Sequence, residues 1–286
     1  MHAFRGLVSA PTSVVTARQV AVRQSPPTPY GEDSVIRLIA RIDARNGQHI
    51  KTIRCEGTRV LRDVTESIAL FSNGPQAFDE IVLLDNVATL YGYENWLLRE
   101  QEAFLFCPLP LSIGGAINSP DIAKRTLQSG ADKIIVNSGA IDDPNLIERL
   151  AKVCGRQAVV LQIDAKLVDN CYRCCTHGSR ELSNQCAKSW IASAQQMGAG
   201  EIHLTSVDSE GIDSSFPYDL AEIACSSTSL PIIVSGGFTA APQIQTIRKT
   251  FGINSFSLSS IPNRLNVPID KLRQELSDLG ETVRWP

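Results

Sequence analysis

Eight short apolar runs punctuate the chain, and each ends in a small or polar residue. They lie near 36–42, 80–85, 109–113, 133–137, 158–163, 201–206, 231–235 and 254–259. Runs such as Ile134-Ile135-Val136 and Ile232-Ile233-Val234 are continuous and β-branched rather than alternating. That pattern suits strands buried on both faces, as in a parallel sheet. Amphipathic stretches at helical spacing lie between most of them. Ile122, Leu127 and Ala131 share one face of the first, and Leu146, Ile147, Leu150 and Val153 one face of the second. Trp190, Ala194 and Met197 mark a third. Strands alternating with helices predict an α/β fold, either a (βα)8 barrel or a doubly wound open sheet.

An internal repeat decides between them. Arg41-Ile42-Asp43-Ala44-Arg45 recurs as Gln162-Ile163-Asp164-Ala165-Lys166, 121 positions on, and Glu80-Ile81-Val82-Leu83 recurs as Glu201-Ile202-His203-Leu204 at the same offset. Ile113-Gly114-Gly115 recurs as Ser235-Gly236-Gly237, 122 positions on, and Ser138 matches Ser259 at 121. Two copies of a four-strand unit predict a (βα)8 TIM barrel built from two half-barrels, spanning residues 35–286. An open sheet leaves the repeat unexplained.

Barrel enzymes carry their chemistry at the C-terminal ends of the strands. Asp43 and Asp164 end the first and fifth strands, which face each other across the mouth. Two opposed carboxylates can divide general-acid and general-base roles if their surroundings separate their pKa values. The structural alternative is that they cap helices or pair with Arg45 and Lys166. Gly114-Gly115 and Gly236-Gly237 follow the third and seventh strands, where glycine lets backbone N–H groups approach a phosphate. Asn137 and Ser138, and Ser259 and Ser260, end the fourth and eighth strands and can add donors. Two such sites predict a substrate with a phosphate at each end. At the opposite strand ends stand Arg37, Glu80, Lys133 and Glu201. Either they are simply solvated, or they form an ion-paired ring across the barrel floor.

Composition narrows the functional classes. A chain of 286 residues, 43% hydrophobic and 20% charged, suits a globular enzyme, and no run of about 18 apolar residues predicts a membrane-spanning helix. A net charge of −3 argues against a nucleic-acid surface. The first 34 residues carry Arg5, Arg18 and Arg23, lack an acid before Glu32, and end in Pro26-Pro27-Thr28-Pro29. They read as a disordered extension, although an organelle transit peptide has a similar composition. Eight scattered cysteines without a secretory signal read as reduced thiols of a cytoplasmic protein. Cys171-Tyr172-Arg173-Cys174-Cys175, near His177 and Cys186, lacks the second pair of a zinc site, and neighbours on a strand point to opposite faces. Neither a metal nor a cofactor is expected.

The motifs resemble a known family, the cyclase subunit of imidazole glycerol phosphate synthase, from about Val35 to Arg284. They are Ile39-Ala-Arg-Ile-Asp43-Ala-Arg-Asn-Gly47, Asp79-Glu80-Ile-Val-Leu-Leu-Asp85, Gly130-Ala-Asp132-Lys133-Ile-Ile-Val-Asn137-Ser138, Val159-Val-Leu-Gln-Ile-Asp164-Ala-Lys166, Gly198-Ala-Gly-Glu201-Ile-His-Leu-Thr205-Ser206-Val-Asp208 and Pro231-Ile-Ile-Val-Ser235-Gly236-Gly237. The resemblance implies an ammonia-dependent cyclase of histidine biosynthesis. A glutaminase partner would release ammonia, which crosses the barrel floor and attacks a bis-phosphorylated ribulosyl-formimino aminoimidazole carboxamide nucleotide. The products would be imidazole glycerol phosphate and an aminoimidazole carboxamide ribonucleotide. By the same resemblance Asp43 and Asp164 are the acid/base pair, and Lys51 and Thr205 join Gly115 and Ser235 among the substrate contacts. Arg37, Glu80, Lys133 and Glu201 form the ammonia gate, and Asp132 meets the glutaminase. Some residues depart from the family pattern. Ala116 stands for a glycine, Glu210-Gly211-Ile212 for Asp-Gly-Thr, two residues are inserted near Ser214–Phe216, and residues 86–112 are unusual. His49-Ile-Lys51-Thr-Ile-Arg and Thr176-His177-Gly178 look closer to a paralogous branch that makes amidino sugars for lipopolysaccharide. A barrel retained as a non-catalytic partner of a glutaminase is the third possibility.

Overall fold

A computed structural model describes residues 34–92 and 107–286. The expected extension lies outside the described residues up to residue 33, as does part of the unusual 86–112 segment. The chain runs β1 (Arg37–Arg45), β2 (Gln48–Ile53), β3 (Glu56–Asp63), α1 (Val64–Ser72), β4 (Glu80–Asp85), α2 (Ala88–Tyr91), β5 (Leu111–Gly114), α3 (Pro120–Gln128), β6 (Lys133–Val136), α4 (Ser138–Asp142) and α5 (Asn145–Cys154). It continues through β7 (Val159–Val168), β8 (Cys171–Thr176), β9 (Glu181–Cys186), α6 (Ala187–Met197), β10 (Glu201–Ser206), α7 (Tyr218–Ser227), β11 (Ile232–Ser235), α8 (Ala241–Phe251), β12 (Ser255–Leu258), α9 (Ser260–Asn263) and α10 (Ile269–Asp278).

Parallel pairing in the order β1, β4, β5, β6, β7, β10, β11 and β12, with β12 returning to β1, closes an eight-stranded barrel. These eight strands fall on the eight apolar runs of the sequence. The halves repeat in register as well as in sequence. Ile39 pairs with Glu80 and Asp43 with Leu84; 121 positions on, Val160 pairs with Glu201 and Asp164 with Thr205. Both leading strands also extend beyond the barrel rim into antiparallel ribbons, β1 with β2 and β3, and β7 with β8 and β9.

Alternation along each strand separates two cores. On β1 the residues Leu38, Ala40, Ile42 and Ala44 pack outward against the helices. Ile39 points inward and joins Val82, Leu84, Ile135, Val160 and Ile233 in a second apolar cluster that fills the barrel. The helices follow the predicted faces with local corrections. In α5, Leu146, Ile147 and Leu150 are buried, but Val153 is exposed in the last turn. In α3 the buried positions are Ala123 and Thr126; Ile122 and Leu127 only flank them, and Ala131 lies past the helix end. Trp190 and Ala194 of α6 are buried with Ile191. Among the described residues no helix is long and apolar enough to cross a membrane.

One buried ion pair fastens the last helix to the barrel. Arg273 of α10 donates to Asp79 Oδ1 at 3.0 Å and to the Ala77 carbonyl at 2.6 Å, while Asp79 Oδ2 accepts from the Leu38 backbone N–H at 2.7 Å. Both side chains are almost fully enclosed. Removing one partner strands a buried charge, so Arg273→Met is expected to destabilise the chain by about 3–5 kcal/mol. The double variant Arg273→Met, Asp79→Asn is expected to lose less than the single one, as read from urea denaturation.

Candidate active site

The mouth is set by β1 and β7, whose last inward residues are Asp43 and Asp164. Asp43 is buried and accepts from Arg41 Nε at 3.1 Å on both oxygens and from Asn86 Nδ2 at 3.0 Å. Asp164 is equally buried and accepts from Gln162 Nε2 at 3.0 and 3.1 Å, Asn137 Nδ2 at 3.0 Å and Ser179 Oγ at 2.9 Å. Each aspartate is held by the inward residue two positions before it, and these two residues are repeat counterparts. Each also accepts from an asparagine, but from different places: Asn86 follows β4, the strand after β1, and Asn137 follows β6, the strand before β7. The expected alternative partners Arg45 and Lys166 play no such part; both are exposed.

The shared position differs in charge. Arg41 is a cation where its counterpart Gln162 is a neutral amide. Burial pushes Asp43 up, but the charges of Arg41 and Lys51 and the bond from Asn86 outweigh it, so its pKa lies below the ordinary value. At Asp164 burial wins over the more distant Arg41 charge and the bonds from Gln162 and Ser179, and the pKa lies above the ordinary value. Arg41 also donates to Thr205 Oγ1 at 2.9 Å and Ser235 Oγ at 3.4 Å, joining β1, β10 and β11 across the lumen. Sequence reasoning assigned Arg41, Gln162, Asn86 and Ser179 no role. The available signal was a charged residue inside an otherwise apolar buried run, matched 121 positions on by another polar one.

The expected binding residues collect on opposite sides of the mouth. Gly115, Asn137 and Ser138 line a cavity of about 60 Å3 beside Asp164. Lys51, Ser235, Gly236, Gly237, Ser259 and Ser260 line a second of about 20 Å3. Arg41 borders both. Lys51, the expected substrate contact, is ion-paired with Glu210 Oε1. Glu210 Oε2 also accepts from the Cys55 backbone N–H at 2.9 Å. The side chain standing for a shorter aspartate thus ties the loop after β10 to the β2–β3 ribbon. Gly237 has φ +84°, and a Cβ there would meet the Ser215 carbonyl at 2.4 Å. Ala116, in the turn after β5, carries a methyl group at φ +53°, and its N–H donates to Thr89 Oγ1 at 3.1 Å.

At the floor the ion-paired reading holds. Arg37 grips Glu80 with two bonds of 2.6 and 2.7 Å and reaches Glu201 at 2.7 Å, and Lys133 completes the chain on Glu201 at 2.6 Å. Asp132 is exposed beside Lys133, and its carboxylate accepts from the Leu111 backbone N–H at 2.8 Å. Between floor and mouth His203 is fully enclosed, with neither ring nitrogen hydrogen-bonded among the described residues. Burial pushes its pKa down to about 3, so it is neutral. The cysteines of the 171–175 segment diverge: Cys174 packs into the outer core and Cys175 against Cys55 and Val207 at the mouth.

Residues 37–257 match the family described as histidine biosynthesis protein. The chain belongs to this family. Among its relatives, the imidazole glycerol phosphate synthase subunit HisF of Legionella pneumophila is 37% identical over 208 residues, covering 71% of this chain and 96% of the relative. The subunits of the same name from Chlorobium luteolum and Chlorobaculum tepidum are 33% and 35% identical over 248 and 251 residues, covering 87% of this chain and 98% of each relative. The family places the chain among enzymes of histidine biosynthesis.

Two stability measurements test this geometry. Ala116→Gly removes a side chain from the left-handed region and is expected to stabilise by about 1 kcal/mol. The aspartates should act on stability in opposite senses. Asp43, with its pKa depressed, stabilises above the unfolded-state value, and this is lost as pH falls through its folded value. Asp164, with its pKa raised, costs stability as pH rises from the unfolded value through the folded one. Asp164→Asn is therefore expected to raise the melting temperature at pH 7, the gain vanishing below about pH 4. Asp43→Asn, which leaves Arg41 buried without its counter-ion, is expected to lower it.

Proposed function

We propose that this chain is the ammonia-dependent cyclase of imidazole glycerol phosphate synthesis, with Asp43 and Asp164 as its acid/base pair. The observation that carries the residue assignment is the unequal holding of two repeated carboxylates, one beside a guanidinium and one beside an amide. In this reading Asp43 is the ionised member and takes the proton released as ammonia adds to the substrate carbon. Asp164 is the proton-holding member and gives its proton to the nitrogen that leaves as the C–N bond breaks. The substrate is the bis-phosphorylated ribulosyl-formimino aminoimidazole carboxamide nucleotide. One phosphate would lie against Gly236, Gly237, Ser259 and Ser260, the other against Gly115, Asn137 and Ser138. That Arg41 borders both cavities supports an elongated ligand with a phosphate at each end.

A glutaminase would dock on the barrel floor, with Asp132 in the contact, and pass ammonia through the Arg37–Glu80–Lys133–Glu201 cluster. Both acids there are already paired, so passage requires a side chain to swing rather than a charge to be created. Lys133, the least buried of the four, is best placed to do so.

The test supplies the nucleotide with ammonium salt to the full chain and follows imidazole glycerol phosphate. Turnover is expected, falling at least about 100-fold in Asp43→Asn and in Asp164→Asn, the range general acid/base groups contribute. Lys51→Met is expected to raise KM more than it lowers kcat. Absence of turnover at high ammonium, with and without a glutaminase, would overturn the assignment.

A further inference from the structure

We propose that Cys171 and Cys186 form a reactive dithiol that closes to an intramolecular disulfide by exchange with small disulfides of the glutathione class. The two residues lie 15 apart, at the start of β8 and the end of β9. The ribbon pairing sets Arg173 opposite Cys186, and the Cys171 thiol donates to Cys186 Sγ across 3.6 Å. That contact is within reach of a bond of about 2.05 Å by rotation of the two side chains. Both are half-buried and so open to a small reagent.

The eight cysteines are all described, and Cys186 differs from the other seven. Burial pushes Cys55, Cys107, Cys154, Cys174, Cys175 and Cys225 up. Cys171 is raised first by the bond it gives to Cys186. Cys186 occupies the N-cap of the eleven-residue helix α6. Its side chain makes no capping hydrogen bond; burial opposes its ionisation, but the nearby first-turn backbone of Ser189, the Cys171 thiol and the backbone of Lys188 outweigh it and hold the thiol below the ordinary value. Its place at a helix N-terminus makes Cys186 the attacking member and Cys171, across 3.6 Å, the resolving one.

The exchange balances without any further reagent. The Cys186 thiolate attacks one sulfur of glutathione disulfide, forming a mixed disulfide and releasing one glutathione thiolate. Cys171 then gives up its proton to solvent and attacks Cys186 Sγ, expelling the second glutathione as thiolate. Two protein thiols are oxidised and one small disulfide is reduced. The new bond closes the base of the ribbon whose tip holds Ser179 on Asp164 and the His177 N–H on Ser138 Oγ.

The test treats the reduced full chain with glutathione disulfide, quenches with acid and maps peptides by mass spectrometry without reductant. The expected product joins the Cys171 and Cys186 peptides and forms about tenfold faster than any adduct at the other six cysteines. Cys171→Ser is expected to stop at a stable glutathione adduct on Cys186. Cys186→Ser keeps a good helix cap, so it is expected to fold, and to lose the fast reaction. Fast reaction at another cysteine, a wild-type adduct that never closes, or equal rates in the two serine variants would each overturn the proposal.

Discussion

A guanidinium shut inside a barrel must find its counter-charge there. Arg41 is almost fully enclosed on the inner wall of the two mouth cavities, and the cost of moving a lone ion into such a place runs to several kcal/mol even after relaxation. Asp43 therefore cannot wander: it is the ion that makes Arg41 tolerable. Nη1 of the guanidinium binds Thr205 and Ser235 in turn. One buried cation thus draws β1, β10 and β11 together across the lumen and orders one side of the mouth. On the opposite side Gln162 brings no charge, and Asp164 is held only by neutral donors. A twofold scaffold becomes an asymmetric site through one cation in one half and an amide in the other.

The barrel has charge at both ends and an apolar waist between. At the floor, Arg37, Glu80 and Lys133 keep partial contact with water, while Glu201 is buried between Arg37 and Lys133. At the mouth, Arg41 and Asp43 are dry, where each interaction acts through a lower dielectric. The apolar cluster of Ile39, Val82, Leu84, Ile135, Val160 and Ile233 separates the two ionic layers. His203 lies within this waist as a neutral ring, which is the only form such surroundings permit.

Most of the architecture was legible in the sequence because parallel strands buried on both faces leave uninterrupted β-branched runs, and because the repeat supplied the strand count independently. Strand ends then indicated Asp43 and Asp164, since the mouth of a barrel is defined by chain direction. What stayed hidden depended on register and on contacts remote in sequence. That Arg41 points inward follows only once Ile39 and Asp43 are known to share its face. That Lys51 is occupied by Glu210, 159 residues away, follows from no local pattern. Val153 obeys helical spacing but sits in the last turn of α5, where the sheet no longer covers it. The ribbons after β1 and β7 were only partly visible, because their outer strands are polar and exposed, and alternation is weak there.

The Lys51–Glu210 pair gives the mouth an internal competitor for anions. The carboxylate already supplies what a phosphate would offer to the lysine, in a cavity scarcely larger than one water molecule. A phosphate entering at Gly236 and Gly237 would compete with Glu210 for Lys51, and Glu210 in leaving would release the Cys55 N–H. The Arg54 N–H on the Glu210 carbonyl, at 2.8 Å, would still hold the loop after β10 to the first ribbon. Affinity at this end is therefore a difference between two anions, exchanged by a side chain against a backbone that stays in place.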